Sequence, residues 1–253
     1  MYLYIYDSYL NDKKYEPVLN RIEARLADLS LNGRTAKMTL LKNMKETIDD
    51  GLRKGAETIV AVGNDQTLFD VIKIVAGKPA TIGYIPVDTK SKIAQILDIP
   101  HDEKACDVLS ARLCEQIDIG KINKHFFLSS VEVPSGAVSI ECDGRYWVTP
   151  TSQNSYVQIC NFDYLSEKGA ASNPQDGILE TVITSKDEPR GLLGRWLKSD
   201  SKKSVFPARR LKIVSRADSV TVLADGQKIT KTPVSIEVAP KKLKIIVGKK
   251  RMF

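Results

Sequence analysis

The sequence predicts an N-terminal α/β domain with a parallel sheet and a C-terminal antiparallel β-sandwich. Over residues 1–118, short apolar runs alternate with segments of helical apolar spacing, which favours a parallel sheet with helices on both faces. From about Ile117 onward, short β-type runs separated by turn signals replace this alternation, as is typical of an antiparallel sandwich. We therefore predict two domains, residues 1–118 and 119–253, with a cleft between them.

Four apolar runs of the first domain are predicted strands, and helical segments lie between and after them. The strands are Tyr2–Tyr6, Thr35–Leu40, Thr58–Val62 and Ala80–Ile85, and the helices are Tyr15–Leu29, Met44–Lys54, Leu68–Val75 and Lys90–Leu97. Ligands of parallel sheets bind at the carboxyl ends of the strands, so we expect functional residues there. Those ends are Asp7-Ser8, Thr39-Leu40, Gly63-Asn64-Asp65 and Pro86-Val87-Asp88.

The second domain contains eight predicted strands. They are Phe126–Val133, Val138–Cys142, Tyr156–Cys160, Ile178–Ile183, Lys212–Val214, Ser219–Leu223, Val234–Val238 and Lys244–Val247. The turn signals between them include Pro134-Ser135-Gly136, Asp143-Gly144, Asp176-Gly177 and Asp225-Gly226. Asp-Gly pairs between β-type runs predict tight hairpins.

Composition and cysteine spacing narrow the class of protein. The 253 residues are 42% hydrophobic and 27% charged, which is ordinary for a globular protein. No apolar run reaches transmembrane length, and the first residues lack the pattern of a secretory signal, so we expect a cytoplasmic protein. The four cysteines have no metal-ligand spacing, which indicates free thiols in a reducing compartment.

Charge is unevenly distributed along the chain. Residues 186–253 contain 18 Lys and Arg against 6 Asp and Glu, a net charge of +12. Since the whole chain carries +7, residues 1–185 carry −5. The asymmetry indicates either an anionic partner of the last quarter of the chain or simply a solvated basic face.

A buried strand that turns abruptly into a helix lies at the centre of the first domain. The run Thr58–Val62 ends at Gly63-Asn64-Asp65-Gln66-Thr67, and helical spacing follows from Leu68. Such a turn places the backbone N–H groups of the helix start where a phosphate can bind. The segment Gly63–Thr67 is therefore the predicted anion site.

This segment carries a resemblance to the diacylglycerol kinase catalytic family, which includes bacterial lipid kinases and sphingosine kinases; the first domain is also similar to NAD kinases. The family signature Gly-Gly-Asp-Gly-Thr stands here as Gly63–Thr67, with two glycines replaced. Asn64 is the best substitute for a left-handed backbone, whereas Gln66 brings a side chain into space that a phosphate would need. The resemblance implies that Asp65 organises magnesium and that Gly63, Asn64, Asp65 and Thr67 bind a nucleotide.

A second family motif, Pro-x-Gly-Thr-x-Asn-Asp before a helix, corresponds to Pro86–Ala94. Pro86, Thr89 and Ala94 match, but Ser91-Lys92 replaces the Asn-Asp pair, so an ammonium stands where the family has a carboxylate. Lys92 would contact phosphate as a point charge. Thr39, Thr89 and Lys92 complete the expected nucleotide-binding set.

Two segments of the second domain extend the resemblance, as does its entry at Ile117–Leu128. Asn173–Glu180 resembles a family segment that binds structural magnesium, which implies ligands from the Asp176 carboxylate and the carbonyls of Asn173 and Ile178. A plain Asp-Gly turn is the alternative, and it is favoured for this segment alone. The family motif Asp-Gly-Glu stands as Asp225-Gly226-Gln227.

The change to Gln227 removes the carboxylate that the family assigns as base for the lipid hydroxyl. A neutral amide has no basic site in the useful range, so Asp225 would have to act in its place. An ordinary hairpin is again the alternative interpretation of this Asp-Gly pair.

The segment Arg190–Lys198 is short, basic and apolar. Leu192, Leu193, Trp196 and Leu197 would share one helical face, flanked by basic side chains. A tryptophan among basic residues suits the interface between water and a bilayer, so Arg190, Arg195, Trp196 and Lys198 are predicted to contact an anionic membrane surface. The alternative is a surface helix that packs on the sandwich.

The resemblance implies phosphoryl transfer from ATP with Mg²⁺ to a lipid hydroxyl, by a cytoplasmic protein that is peripheral on the inner membrane face. The first hypothesis is a divergent lipid kinase with Asp65 and Asp225 as catalytic residues. The second is a catalytically inactive relative that binds nucleotide, lipid or a partner. A nucleic-acid-binding module rests only on the basic tail and has no recognisable motif.

Overall fold

A computed structural model describes residues 1–39, 41–87, 90–134, 136–150, 155–163, 172–185 and 202–253. The chain divides into two compact units: residues 1–118 with 240–253, and residues 119–239. The break at residue 118 coincides with the predicted boundary. Residues 240–253, which we predicted as the end of the second domain, belong to the first unit.

The first unit alternates strands and helices. Its strands are β1 (Tyr2–Tyr6), β2 (Gly33–Lys37), β3 (Thr58–Gly63) and β4 (Thr81–Pro86). The described helices are α1 (Glu16–Asp28), α2 (Met44–Arg53), α3 (Asp65–Val75), α4 (Lys92–Leu97) and α5 (Ala105–Ala111), with 3₁₀ turns at Ser8–Asn11, Lys13–Tyr15 and Asp102–Lys104.

The remaining strands follow in chain order. They are β5 (Cys114–Ile122), β6 (His125–Phe127), β7 (Ser130–Val133), β8 (Val138–Cys142), β9 (Tyr146–Val148), β10 (Tyr156–Cys160), β11 (Leu179–Ser185), β12 (Lys202–Ala208), β13 (Arg210–Ser215), β14 (Thr221–Ala224), β15 (Gln227–Lys231) and β16 (Val234–Ile246). The long strand β16 begins in the second unit and ends in the first.

Parallel strands in the order β2-β1-β3-β4 form the sheet of the first unit. The end of β16 adds a further parallel strand, with Lys244 opposite Thr81. β3 and β4 are buried along their whole length, because helices cover both faces of a parallel sheet. β2 is an edge strand in which only Ala36 is buried, so its apolar pattern is weak. The predicted bounds, Thr35–Leu40, were for this reason shifted toward the C-terminus, and Leu40 lies outside the described residues.

Antiparallel pairs build the second unit. One sheet has the order β12-β11-β10-β7-β14-β15, and the second contains β13 between β8 and the first part of β16, with β9 at its edge. Alternate apolar residues of both sheets, among them Val131, Ile140, Ile159 and Ile213, form one buried core.

Two predicted strand assignments were wrong. The single strand predicted over Phe126–Val133 is divided into β6 and β7, because the N–H groups of Leu128 and Ser129 bond the Asp225 carboxylate. The separate strands predicted at Val234–Val238 and Lys244–Val247 form one strand, β16. All four cysteines are free thiols, as predicted.

Candidate functional site

The carboxyl ends of β1 and β3 lie side by side in the first unit. β1 has β2 on one side and β3 on the other, so the strand order reverses at this point. Such a switch point leaves a crevice beyond the strand ends, where α/β sheets bind ligands. Asp7 follows β1, and Asn64 and Asp65 follow β3. The candidate site is therefore built from residues at this edge.

Helix α3 begins at this edge with a capping box. The Asn64 side chain accepts a hydrogen bond from the Thr67 backbone N–H at 3.1 Å, and Thr67 Oγ1 accepts one from the Asn64 N–H at 3.2 Å. These bonds use two of the N–H groups that a helix start leaves unpaired. α3 therefore begins at Asp65, three residues before the predicted start at Leu68. Asn64, which replaces the second glycine of the family signature, is the N-cap of this helix.

Gly63 is required by the tight packing of this turn. A Cβ atom at this position would clash with Thr67 Oγ1 and lie 3.1 Å from Asp7 Cβ. Its φ of 157° is also one that L-residues rarely adopt. The retained first glycine of the motif thus allows the strand end, the helix cap and Asp7 to approach one another.

Asp7 is a site residue that the motif comparison did not include. Its Oδ2 accepts a hydrogen bond from Thr67 Oγ1 at 2.5 Å, and its Oδ1 accepts the Tyr9 N–H at 3.2 Å. Thr67 is 1% exposed, so its hydroxyl is held between Asp7 and the helix cap. The signal in the sequence was the position of Asp7 at the end of the first predicted strand.

Asp65 is oriented by two hydroxyl donors. Its Oδ1 accepts hydrogen bonds from Tyr84 Oη at 3.0 Å and from Ser91 Oγ. Burial, together with the Asp65 carboxylate, raises the pKa of the Tyr84 phenol, which therefore stays protonated as a donor. Two donors on one oxygen fix the orientation of the Asp65 carboxylate.

Ser91 connects two helix starts at this site. The residue is buried and caps α4, since its Oγ accepts the Ala94 N–H at 2.8 Å while donating to Asp65. The serine that replaces the family asparagine therefore has a defined partner. Neither Tyr84 nor Ser91 was predicted to contact Asp65, because such partners depend on how α4 packs beside β4.

Gln66 and Lys92 are the two residues whose side chains differ most from the family motifs at the expected phosphate site. Gln66 Nε2 donates to Asp70 Oδ1 at 2.9 Å, so its side chain lies along its own helix. Lys92 is the exposed first residue of α4. Thr39 is exposed after β2, whereas Thr89 lies outside the described residues.

Asp225 occupies the turn of the β14–β15 hairpin in the second unit. Its φ of 50° and the 74° of Gly226 are those of the tight hairpin turn that the Asp-Gly pair predicts. Oδ2 accepts the Leu128 N–H at 3.1 Å and Oδ1 accepts the Ser129 N–H at 2.8 Å. Asp225 is only 5% exposed, and its carboxylate fixes the two residues that precede β7 to the hairpin turn.

The predicted structural magnesium ligands form a local turn. Asp176 Oδ1 accepts the Ile178 N–H at 2.9 Å, and Asn173 Oδ1 accepts the Gln175 N–H at 3.0 Å. Asp176 and Asn173 are both exposed. Side chains that bond the backbone two residues ahead are typical of turns, the alternative favoured above.

Among the described residues, no group of three His, Cys, Asp or Glu side chains is close enough to hold a metal ion. Mg²⁺ commonly takes one or two carboxylates and completes its octahedron with water and phosphate oxygens. A carboxylate such as that of Asp65 is a ligand type that Mg²⁺ takes from proteins, so this residue fits a magnesium ion that arrives with a nucleotide.

The predicted membrane contacts at Arg190, Arg195, Trp196 and Lys198 lie outside the described residues. No helix in the described ranges combines the length and the apolar character needed to cross a membrane.

Sequence comparison identifies relatives of the first unit. A family model described as diacylglycerol kinase catalytic domain matches residues 2–122. A diacylglycerol kinase of Staphylococcus saprophyticus is 31% identical over 110 residues, which covers 38% of this chain and 36% of that protein. That of Staphylococcus aureus strain Newman is 30% identical over 110 residues, covering 38% and 35%. The matched part thus spans about a third of the length of these relatives.

Structural comparison extends over both units. A diacylglycerol kinase from Bacillus anthracis matches with a TM-score of 0.78 at 18% identity and covers 99% of this chain and 97% of that one. An NAD kinase from Archaeoglobus fulgidus in complex with ATP gives 0.60 at 14% identity, covering 100% and 96%. At these identities the likeness concerns the fold alone, and it confirms the predicted fold class.

Proposed function

Because residues 2–122 belong to the diacylglycerol kinase catalytic domain family, we propose that the chain is a divergent lipid kinase that transfers a phosphoryl group from ATP to a lipid hydroxyl. The observation that carries this proposal is the orientation of Asp65. Tyr84 and Ser91 fix one of its oxygens at the start of α3, at the switch point of the sheet. A carboxylate fixed in this way is suited to organise a magnesium–phosphate group.

Nucleotide phosphates would bind at the carboxyl edge of the first unit. Gly63 and Asn64 bring the backbone to this edge, and Thr67 and Asp7 stiffen it through their short hydrogen bond. Thr39, Thr89 and Lys92 are proposed as further phosphate contacts, with Lys92 contributing a positive charge at an exposed position. Gln66 leaves room for the phosphates because its amide bonds Asp70.

Asp65 would hold Mg²⁺, which neutralises charge on the transferring phosphate when it is bound. The protein's own contribution is to orient the carboxylate before the nucleotide arrives, so no reorganisation is needed at the moment of reaction. The protonated Tyr84 phenol keeps Asp65 in this position. The exposed turn at Asn173, Asp176 and Ile178 remains a proposal for a separate magnesium site.

Asp225 is the proposed base for the lipid hydroxyl, since Gln227 cannot accept a proton. Each Asp225 oxygen accepts one backbone hydrogen bond, and these two bonds fix the orientation of the carboxylate. A lipid substrate would bring the protein to a membrane surface, where Arg190, Arg195, Trp196 and Lys198 would add contacts.

A nucleotide-binding relative without phosphoryl transfer is the second candidate. It is favoured by a specific observation: Asp225 is 5% exposed and both of its oxygens accept backbone bonds. A base with this environment has little access to a substrate hydroxyl. In this candidate the first unit still binds nucleotide phosphates, but no phosphoryl group is transferred.

The test combines nucleotide titration with turnover. We expect calorimetric binding of ATP with Mg²⁺, and ATP-dependent phosphorylation of diacylglycerol in mixed micelles. Asp65→Asn should lower both at least about tenfold, as the loss of one charge-assisted contact predicts. Asp28→Asn is the matched control, because it removes the same charge from the exposed last residue of α1.

Three outcomes separate the candidates. Turnover that Asp65→Asn abolishes and Asp28→Asn preserves supports the kinase. Nucleotide binding that depends on Asp65 without turnover supports the second candidate. Binding that is unchanged in Asp65→Asn contradicts both, since each of them places the phosphates at this carboxylate.

A further inference from the structure

Exposed arginine and aromatic side chains lie at two connections of the second unit. The turn between β8 and β9 carries Arg145, β9 itself carries Tyr146 and Trp147, and the corner between β12 and β13, which belong to different sheets, carries Arg209 and Arg210. We call these five residues the arginine–aromatic corner. All five are exposed.

Asp143 connects the β8–β9 turn to the β12–β13 corner. Its Oδ1 accepts the backbone N–H groups of Arg209 at 3.0 Å and of Arg210 at 2.8 Å, and its own N–H donates to the Arg210 carbonyl at 2.9 Å. Asp143 and Gly144 have φ values of 52° and 66°, those of a tight hairpin turn. The corner is therefore a fixed arrangement, and its geometry does not depend on the arginine side chains.

Large aromatic side chains are unusually exposed here. Trp147 is 54% exposed and Tyr146 is 45% exposed, on β9 at the edge of its sheet. The two point to opposite sides of the strand, since side chains alternate along β structure. Exposed apolar area rimmed by polar residues marks interaction sites.

The three arginines line a groove beside the β8–β9 turn. Its volume is about 500 Å³. Its lining includes Arg145, Arg209 and Arg210, against the single carboxylate of Asp143. Within the described residues, none of the three guanidinium groups forms an ion pair. Since Asp143 already accepts two backbone bonds, the groove has an excess of positive charge.

We propose that the arginine–aromatic corner docks the second unit onto a bilayer containing anionic phospholipid. Arginine forms bidentate hydrogen bonds with phosphate oxygens, which suits lipid headgroups in the groove. Tryptophan and tyrosine prefer the depth of the headgroups, where one end of the ring is apolar and the other meets water. This rests on the proposed function and deepens it, because it assigns the membrane contact that a lipid kinase needs to a described surface of the second unit, and this surface needs no nucleotide.

The test is co-sedimentation of the full chain with vesicles, without nucleotide. We expect binding to phosphatidylcholine vesicles that contain phosphatidylglycerol and at least about tenfold weaker binding to pure phosphatidylcholine, since each juxtamembrane arginine adds attraction to an anionic surface. Arg145→Gln with Arg209→Gln should weaken the anionic binding at least about tenfold. The backbone bonds to Asp143 survive these changes, so this double variant should fold.

Lys241→Gln with Lys242→Gln is the matched control. It removes the same two charges from exposed positions of the first unit. If this control weakens vesicle binding as much as the arginine variant does, diffuse net charge explains the attraction and the proposal is wrong.

Trp147 provides a second readout. The chain has two tryptophans, so Trp196→Phe leaves Trp147 as the only one. We expect its fluorescence to shift to the blue with anionic vesicles, and soluble glycerol phosphate should produce no shift. No shift with vesicles, or equally strong binding of the chain to DNA that the arginine variant weakens, would overturn the proposal. Because the assay contains no nucleotide, these results do not depend on whether the chain is a kinase.

Discussion

At the scale of single residues, Glu180 is the acidic side chain whose burial has the clearest consequence for stability. It lies half-buried on β11, and its Oε2 is buried without a hydrogen-bond partner in the described part of the chain. Burial, together with the negative charge of Asp176, raises the pKa of Glu180 from 4.5 to about 7. Between these values the folded chain holds a proton that the unfolded chain releases.

This proton makes stability fall as pH rises. The neutral carboxyl costs nothing below pH 4.5, and the penalty of the buried charge is fully present above about pH 7. Glu180→Gln mimics the neutral form, so we expect it to stabilise the chain by on the order of 1–2 kcal/mol at pH 8 and by little at pH 4.5. Guanidinium chloride unfolding at both pH values measures the difference.

Glu141→Gln is the control for this experiment, because that residue lies on the opposite sheet of the second unit. It should give similar changes at both pH values. A Glu180→Gln chain that gains no stability at pH 8 would show that the carboxylate is solvated when charged.

The sequence predicted the position of Asp65 and Thr67 but not their partners. A strand–Gly–helix pattern is local, so Gly63–Thr67 could be located from the chain alone. The bonds from Thr67 to Asp7 and from Asp65 to Tyr84 join residues 60 and 19 positions apart. Such contacts depend on strand order and helix packing, which local patterns do not contain.

At the scale of elements, the β14–β15 hairpin depends on Asp225. Alanine at this position would leave the Leu128 and Ser129 N–H groups without their acceptors and would place a side chain with no local hydrogen bond at φ 50°. We expect Asp225→Ala to lower the free energy of unfolding by about 2–4 kcal/mol. Urea unfolding followed by circular dichroism measures this loss.

Asp225→Asn separates the structural role from the proposed catalytic one. Asparagine tolerates the left-handed turn and keeps one carbonyl acceptor, so it should cost less than alanine. A folded Asp225→Asn chain that still phosphorylates diacylglycerol would rule out Asp225 as the base. Equal destabilisation by both substitutions would contradict the proposed structural role of the Asp225 side chain, which is to accept the Leu128 and Ser129 N–H bonds.

Element types were predicted better than their ends. Tyr2–Tyr6, Val138–Cys142 and Tyr156–Cys160 are strands with the predicted bounds, since alternating or buried apolar runs define them. The division at Leu128–Ser129 could not be predicted, because it is imposed by a carboxylate almost a hundred residues later in the chain. Helix α5 was missed because its buried positions, Ala105, Cys106 and Leu109, are few.

At the scale of the whole molecule, the first unit depends on the end of β16 and the residue after it. Leu243, Ile245, Ile246 and Val247 are at most 2% exposed. Burial of four such side chains contributes about 6–12 kcal/mol, comparable to the total stability of about 5–15 kcal/mol of a typical domain. A chain that ends at residue 239 should therefore leave residues 1–118 unfolded.

Hydrogen exchange with mass spectrometry tests this expectation. In the shortened chain we expect fast exchange in β1 and β3, with protection retained in the second unit. Ile245→Ala in the full chain should cost about 2–5 kcal/mol, whereas Lys244→Ala on the same strand, at an exposed position, should cost under about 0.5 kcal/mol. Protection of β1 and β3 after truncation would contradict the dependence.

The boundary near residue 118 was predicted from the change between strand–helix alternation and short β-type runs. The return of the chain to the first unit at residue 240 is not marked by such a change and could not be predicted. Lys244–Val247 was predicted as a strand, but a short apolar run fits a parallel or an antiparallel neighbour equally well. Its partner, β4, lies more than 150 residues earlier. Only the three-dimensional pairing assigns it to the first unit.

The late position of β16 in the chain sets an order for folding during synthesis. β4 is made early, and its neighbour, the end of β16, leaves the ribosome only after residues 119–239. At about 5–20 residues per second, translation of this insertion takes roughly 6–24 s. During that time one edge of β4 has unpaired N–H and C=O groups, which in nascent chains attract chaperones or other strands. The inserted unit is thus complete before the first unit, in which it is inserted.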